Sequence, residues 1–258
     1  MSKPVPINPH NALEFLAFVV VLGQNITQED DKNLRSLELK LKDDLPNFSQ
    51  HLEFETKIDN GQIITQKTKN VGVLLRDDNS KPSWEVSVDK NQIVVRCFSC
   101  NNWKFIFPKA LGFIQSAIDI LESSSRNISS LSIQCVDKFT QSNVIEYTQF
   151  DIFKNNTEYL TQKSRDVGKL WHVHQGWFDK DSNDSKILNI LNIGTIENEN
   201  SLITAIDHLS QYLLKIPKPL LEKDLNKIFC ELHDNNKSLI RDLLNEKQIK
   251  AIGLNNVI

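Results

Sequence analysis

Apolar and polar residues alternate along most of this chain, and the period of the alternation assigns the elements. Trp84, Val86 and Val88 take turns with Glu85, Ser87 and Asp89; after Lys90 and Asn91 the same rhythm returns through Ile93, Val95 and Cys97. Successive side chains of a strand point to opposite faces, so this stretch predicts a hairpin with one buried face. From Trp103 the period lengthens. Leu111, Ile114, Ala117 or Ile118, and Leu121 recur at helical spacing, and Pro108 suits the first turn of that helix. A half-buried hairpin followed at once by an amphipathic helix makes two layers of an α+β core.

The remaining pattern extends this picture in both directions. Residues 13–22 are almost continuously apolar, as a strand covered on both faces would be. Thr27 is placed to cap a helix whose stripe is Leu34, Leu37, Leu41 and Leu45, ended by Pro46; Glu29, Asp30 and Asp31 in its first turn answer to the helix dipole. Strands are expected at 51–58 and 71–75, separated by a polar stretch around Gly61, and again through Leu131, Ile133 and Cys135. In the second half, 144–153, 170–178 and 187–196 read as strands, and 155–166 as a polar, mobile connection. Leu202, Ile206, Leu209 and Leu213 fall at helical spacing before Pro217, and a final helix from Leu220 carries apolar positions to Leu244, with Asp234, Asn235 and Asn236 as a bend. The expected fold is α+β, with antiparallel sheet packed against amphipathic helices. An N-terminal half, 1–140, and a C-terminal half, 141–258, share a loosely repeated element order, as two units or as one continuous domain.

Composition narrows the partners more than it names them. Apolar residues make up 40% and charged residues 24% of 258, the balance of a globular protein. A net charge of -3 provides no overall field to draw nucleic acid or an acidic membrane surface. The basic residues Lys215, Lys218, Lys223 and Lys227 are interleaved with Glu222 and Asp224 as on a solvated helix face. Four scattered cysteines do not form a disulfide framework, so reduced thiols and a cytoplasmic location are expected. Residues 13–22 are too short to span a bilayer as a helix, and Glu14 interrupts them as a signal segment.

Trp171 to Trp177 is the stretch richest in candidate chemistry. On a strand His172 and His174 share a face, the arrangement by which two imidazoles ligate one metal, with Asp179, Asp181 or His233 as a further ligand. The same residues also read as histidines on a wet face, with Trp171 and Trp177 as contact anchors. Cys97 and Cys100 have redox or zinc spacing but no second pair, and burial accounts for Cys97. Asp179 begins a calcium-like loop in which Asp184 stands where glycine is needed and Ile190 where glutamate is needed. No nucleophile elbow, dinucleotide fingerprint or P-loop occurs among the eight glycines, and no motif calls for a cofactor. His233 and Asp234 are neighbours on a helix, where adjacent side chains diverge.

Several stretches together resemble a family of sporadically distributed bacterial and archaeal proteins of about this length with no assigned activity. They are Asn8 to Leu22 with Glu14, Val86 to Ala117 with Trp103 and Phe107, Leu131 to Phe139, and Leu232-His233-Asp234 with Ile240 and Leu243 to Ile249. Cys100, Asn101 and Asn102 stand where that family carries an aromatic residue before the tryptophan. Members near mobile elements or defence genes make bacterial conflict the implied setting. The expected function is a non-enzymatic interaction component, accessory, immunity or antitoxin-like, that binds another protein through Trp171, His172, His174, Trp177 and His233. The alternative is a metal-dependent hydrolase or nuclease using His172 and His174.

Overall fold

A computed structural model describes residues 3–9, 11–59, 62–100, 102–121, 126–142, 147–180, 186–198 and 201–254. Gly61, Asn101, Asp181 and Asp184 lie outside these residues. The fold is α+β, as the pattern predicts: one antiparallel sheet with helices on one of its faces. Its strands are β1 (Val5–Pro6), β2 (Leu13–Leu22), β3 (Asn47–Asp59), β4 (Gln62–Arg76), β5 (Trp84–Asp89), β6 (Gln92–Cys97), β7 (Ile128–Gln141), β8 (His172–Lys180), β9 (Lys186–Asn198) and β10 (Ser201–Lys218). The helices are α1 (Gln28–Leu41), α2 (Trp103–Ile120), α3 (Gln162–Arg165), α4 (Glu222–Leu243) and α5 (Glu246–Ala251). Strand order is β3-β4-β5-β6-β2-β7-β10-β9-β8, with β1 continuing alongside β7, so one sheet runs through both halves of the chain. Among the described residues no helix is long and apolar enough to cross a membrane.

The apolar run of β2 puts that strand in the middle. Leu16, Phe18, Val20 and Leu22 face inward and continue rows formed by Cys97, Val95 and Ile93 on β6 and by Cys135, Ile133 and Leu131 on β7. On this face α2 and α4 meet. Phe18, fully buried, has ring centroids 5.7 Å from Trp103, 6.0 Å from Phe107 and 5.5 Å from Phe229. The leucines of α1 join the same cluster, and Thr27 caps that helix reciprocally with Asp30. A second apolar cluster, around Phe139, Phe153, Trp171, Ile193, Ile206 and Leu243, fills the space beneath β8, β9 and α5.

Six expectations are corrected or extended. Pro108 lies inside α2 rather than in its first turn, because Asn102 caps the helix from Trp103; its ring removes the bond that the Lys104 carbonyl would accept. The strands expected at 51–58 and 71–75 are parts of one long hairpin, β3 with β4. Residues 147–153 form an extended stretch and a single 3-10 turn instead of a strand, and 155–166 fold into turns and α3, burying Thr157, Leu160 and Ser164. The residues expected to bend the last helix do not, since α4 runs unbroken through Asn236. Finally, 201–218 is the strand β10 and not a helix. Its inward residues are Leu202, Thr204, Ile206, His208, Ser210 and Tyr212. Three of these six are polar, which hides the two-residue period and leaves the leucines' accidental helical spacing visible.

Replacing Phe18 with alanine should destabilise the fold by about 3–5 kcal/mol in chemical denaturation. Phe105→Ala, at a side chain that is 78% exposed on the outer side of α2, should change stability by less than about 0.5 kcal/mol.

Candidate functional site

The polar residues that interrupt the inner face gather along a seam between the two apolar clusters. Across β9, β10 and α4, Asn236 Nδ2 donates to His208 Nδ1 at 3.0 Å, and His208 Nε2 bonds Asn189 Oδ1 at 3.2 Å. This pattern assigns the neutral imidazole with its proton on Nε2. Asn235 Nδ2 bonds Asn189 Oδ1 at 2.8 Å and Ser210 Oγ at 2.9 Å, which anchors α4 to the sheet at the place where the sequence suggests a bend. Asn189 Nδ2 then donates to Asp179 Oδ2 at 2.7 Å, and Trp177 Nε1 donates to the same oxygen at 3.1 Å. The chain of bonds therefore leads from an exposed carboxylate on β8 to a buried amide on α4. Burial lowers the His208 pKa to about 4, so the ring stays neutral and serves as a fixed strut.

Asn236 also lines a cleft of about 390 Å³ between β2, β7, the start of α2, α4 and the turn after α5. Leu13, Leu16, Ile106 and Ile240 give it apolar walls, and Cys100 and Cys135 lie in its lining. On one side the His233 ring stacks on Trp103, with centroids 3.7 Å apart and planes within 7°, and Trp103 stacks on Phe107 at 4.7 Å. Burial and the nearby Lys237 ammonium lower the His233 pKa to about 4. Asp137 from β7 also lines the cleft. It is 6% exposed, and among the described residues its carboxyl has no hydrogen-bond or salt-bridge partner. Opposite it the β2 ladder slips by one residue between Leu13 and Phe15, so Glu14 bulges outward to pair with Lys138 at 2.6 Å. Burial alone raises the Asp137 pKa from 3.8 to about 7.

The other face of the sheet carries no helix among the described residues. Its rows are set by the register: Phe178 faces Leu188, which continues through Gln211 and Ser132 to Val19 and Val94, and Ile190 continues through Leu209 to Gln134 and Ala17. Phe178 is 61% and Ile196 62% exposed on this face. Its charges are largely paired with one another. Glu85 takes Arg76 at 2.7 Å and Arg96 at 2.6 Å, and Asp207 accepts from Gln134 at 2.9 Å.

The five residues proposed for contact do not converge. His172 and His174 lie on the uncovered face, on the same strand as Phe178, with the His174 Nδ1 bonded to Asn192. Trp171 is a core residue, 7% exposed, with its ring edge-on to Phe153 and Nε1 bonded to Tyr147 at 3.1 Å. Trp177 points to the helix-covered face, and His233 lines the cleft. Among the described residues no group of three His, Cys, Asp or Glu side chains is gathered as a metal would require. Asp137, Asn189, His208 and Ser210 were not singled out by sequence. Their signal is a polar residue on an inward position of an otherwise apolar strand face, visible only once the period is fixed. No protein-family model matches the chain, and no curated protein matches it.

The two titrating groups act in opposite directions on stability. Asp137 has a raised folded pKa, so its contribution is intact below about pH 4 and is lost as pH rises through 7. His208 has a lowered one, so its contribution is present above about pH 6.5 and is lost as pH falls through 4. Asp137→Asn should therefore stabilise the protein, on the order of 2–4 kcal/mol near pH 9 and close to nothing near pH 4, measured by denaturant unfolding at each pH.

Proposed function

We propose that this protein works by binding another protein, which docks on the uncovered face of its sheet. The observation that carries this reading is the segregation of the helices: the apolar stripes of α1, α2 and α4 are all spent on the inner face. The outer rows meanwhile leave Phe178, Leu188, Ile190, Ile196, Leu209 and Val19 wholly or partly exposed to solvent. Phe178 with Leu188 and Ile190 with Leu209 are register neighbours, and an apolar patch of this kind on a folded chain marks a place where something else is meant to pack.

The charges on the face select the partner's chemistry. Among the described residues, Arg76 and Arg96 are taken up by Glu85 and Lys138 by Glu14, so these cations do not form a free basic track for nucleic acid. The complementary surface is apolar at its centre and carries few charges of its own. His172 and His174 place two polar rings at the margin, as the rim of such an interface requires. An accessory, immunity or antitoxin-like component would act in this way, by occupying a partner rather than by transforming a substrate.

Capture from the native host tests the reading. The wild-type chain should retain one stoichiometric protein, Phe178→Glu and Leu209→Glu should each lose it, and Lys227→Glu on α4 should keep it, with unfolding midpoints unchanged in all three. Retention by both sheet-face variants, or capture of nothing by the wild type, would sink the proposal.

A further inference from the structure

We propose that the cleft floored by Asp137 is a binding site for a compact organic cation, an amine or amidinium on an apolar body, with its charged head on the Asp137 carboxylate. The site is separate from the sheet face, since Asp137 points inward from β7 while the docking rows point outward.

Three observations converge on this ligand class. The volume, about 390 Å³, is that of a small-molecule pocket rather than of a packing defect. The walls are apolar and aromatic, and the tight stack of His233 on Trp103 presents a rigid side that needs no reordering when a ligand enters. The floor holds an acid that has no hydrogen-bond or salt-bridge partner among the described residues. A buried carboxyl without a partner costs stability, and an asparagine of the same shape would avoid most of that cost. A partner that arrives from outside would offset this cost, and the partner of a carboxylate in an apolar enclosure is a cation with hydrogen-bond donors. An anion would meet the Asp137 carboxylate, and a neutral ligand would leave the ionised acid without a counter-charge.

The charged and titratable neighbours of Asp137 are few. Cys135 lies on its own strand, Cys100 on the loop before α2, and His233 and Lys237 on α4. A hydrogen bond with Cys97, and then burial, holds the Cys100 thiol protonated, burial does so for Cys135, and His233 is neutral near pH 7, so among the described residues Lys237 is the cation in the lining. Its side chain is half-exposed, and its long stem lets the ammonium turn to solvent when the cleft fills. Seating an amine ionises Asp137 and releases a proton, so affinity should rise with pH through neutrality.

Isothermal titration of the full chain with benzylamine tests the site, with benzyl alcohol and benzoate as the neutral and anionic counterparts of the same shape. The expected result is saturable one-to-one binding of benzylamine near pH 8, at least about tenfold tighter than either counterpart. It should weaken by about tenfold or more both near pH 6 and in Asp137→Asn, whose fold is checked by its unfolding midpoint. Ile106→Trp, which fills the cleft and leaves the acid in the sequence, should abolish binding as well, with its fold checked in the same way. Equal binding of the alcohol, unchanged binding in Asp137→Asn, preferred binding of benzoate, or no saturable binding of benzylamine would each overturn the assignment.

Discussion

The packing of two distant helices on one phenylalanine holds this structure in its working shape. Phe18 is a residue of the central strand, and Trp103 and Phe107 from α2 and Phe229 from α4 close over its ring. Neither helix makes that contact alone. Because the His233 ring lies one helical turn beyond Phe229 and rests on Trp103, the same aromatic group that seals the core also builds one wall of the cleft. Stability and site geometry thus depend on one set of side chains, and a change that loosens the stack moves the wall.

Against that apolar centre the fold sets a seam of polar groups that an optimally stable protein would not contain. Asn189, His208, Ser210, Asn235 and Asn236 satisfy one another, which makes them affordable and also specific, since their bonds fix how α4 sits on β9 and β10. Asp137 is different in kind. It stands beside this network without a share in it, and the bulge at Glu14 opens the ladder opposite it. Where local rules are broken without local compensation, function is the usual reason.

Much of the fold was legible because one face of most elements is uniformly apolar. The alternation in β5 and β6, the run in β2 and the leucine stripe of α1 each match a single period, and the structure follows them. Legibility failed where the inner face turns polar. In β10, Thr204, His208 and Ser210 occupy buried positions, so the pattern of a strand was masked by four leucines and isoleucines at helical intervals. The same polar residues form the seam, so the misread element and the overlooked site have one cause. Trp171 misled in the opposite way: a tryptophan among histidines resembles a surface anchor, yet its indole N–H finds Tyr147 and its ring fills the second core. Which of two roles an aromatic takes depends on neighbours that are remote in sequence.

The long stretch of chain between β2 and α4 has a consequence for biosynthesis. Phe18 leaves the ribosome well before Phe229, which covers it, and before β10, which flanks β7. At about 5–20 residues per second, the inner face of the central strands stays without its final cover for roughly 10–40 s. During that interval the nascent chain presents long, unpaired strand edges and a bare aromatic surface, the features that chaperones recognise and that aggregation exploits. Arrival of α4 closes that surface over the Phe18 ring.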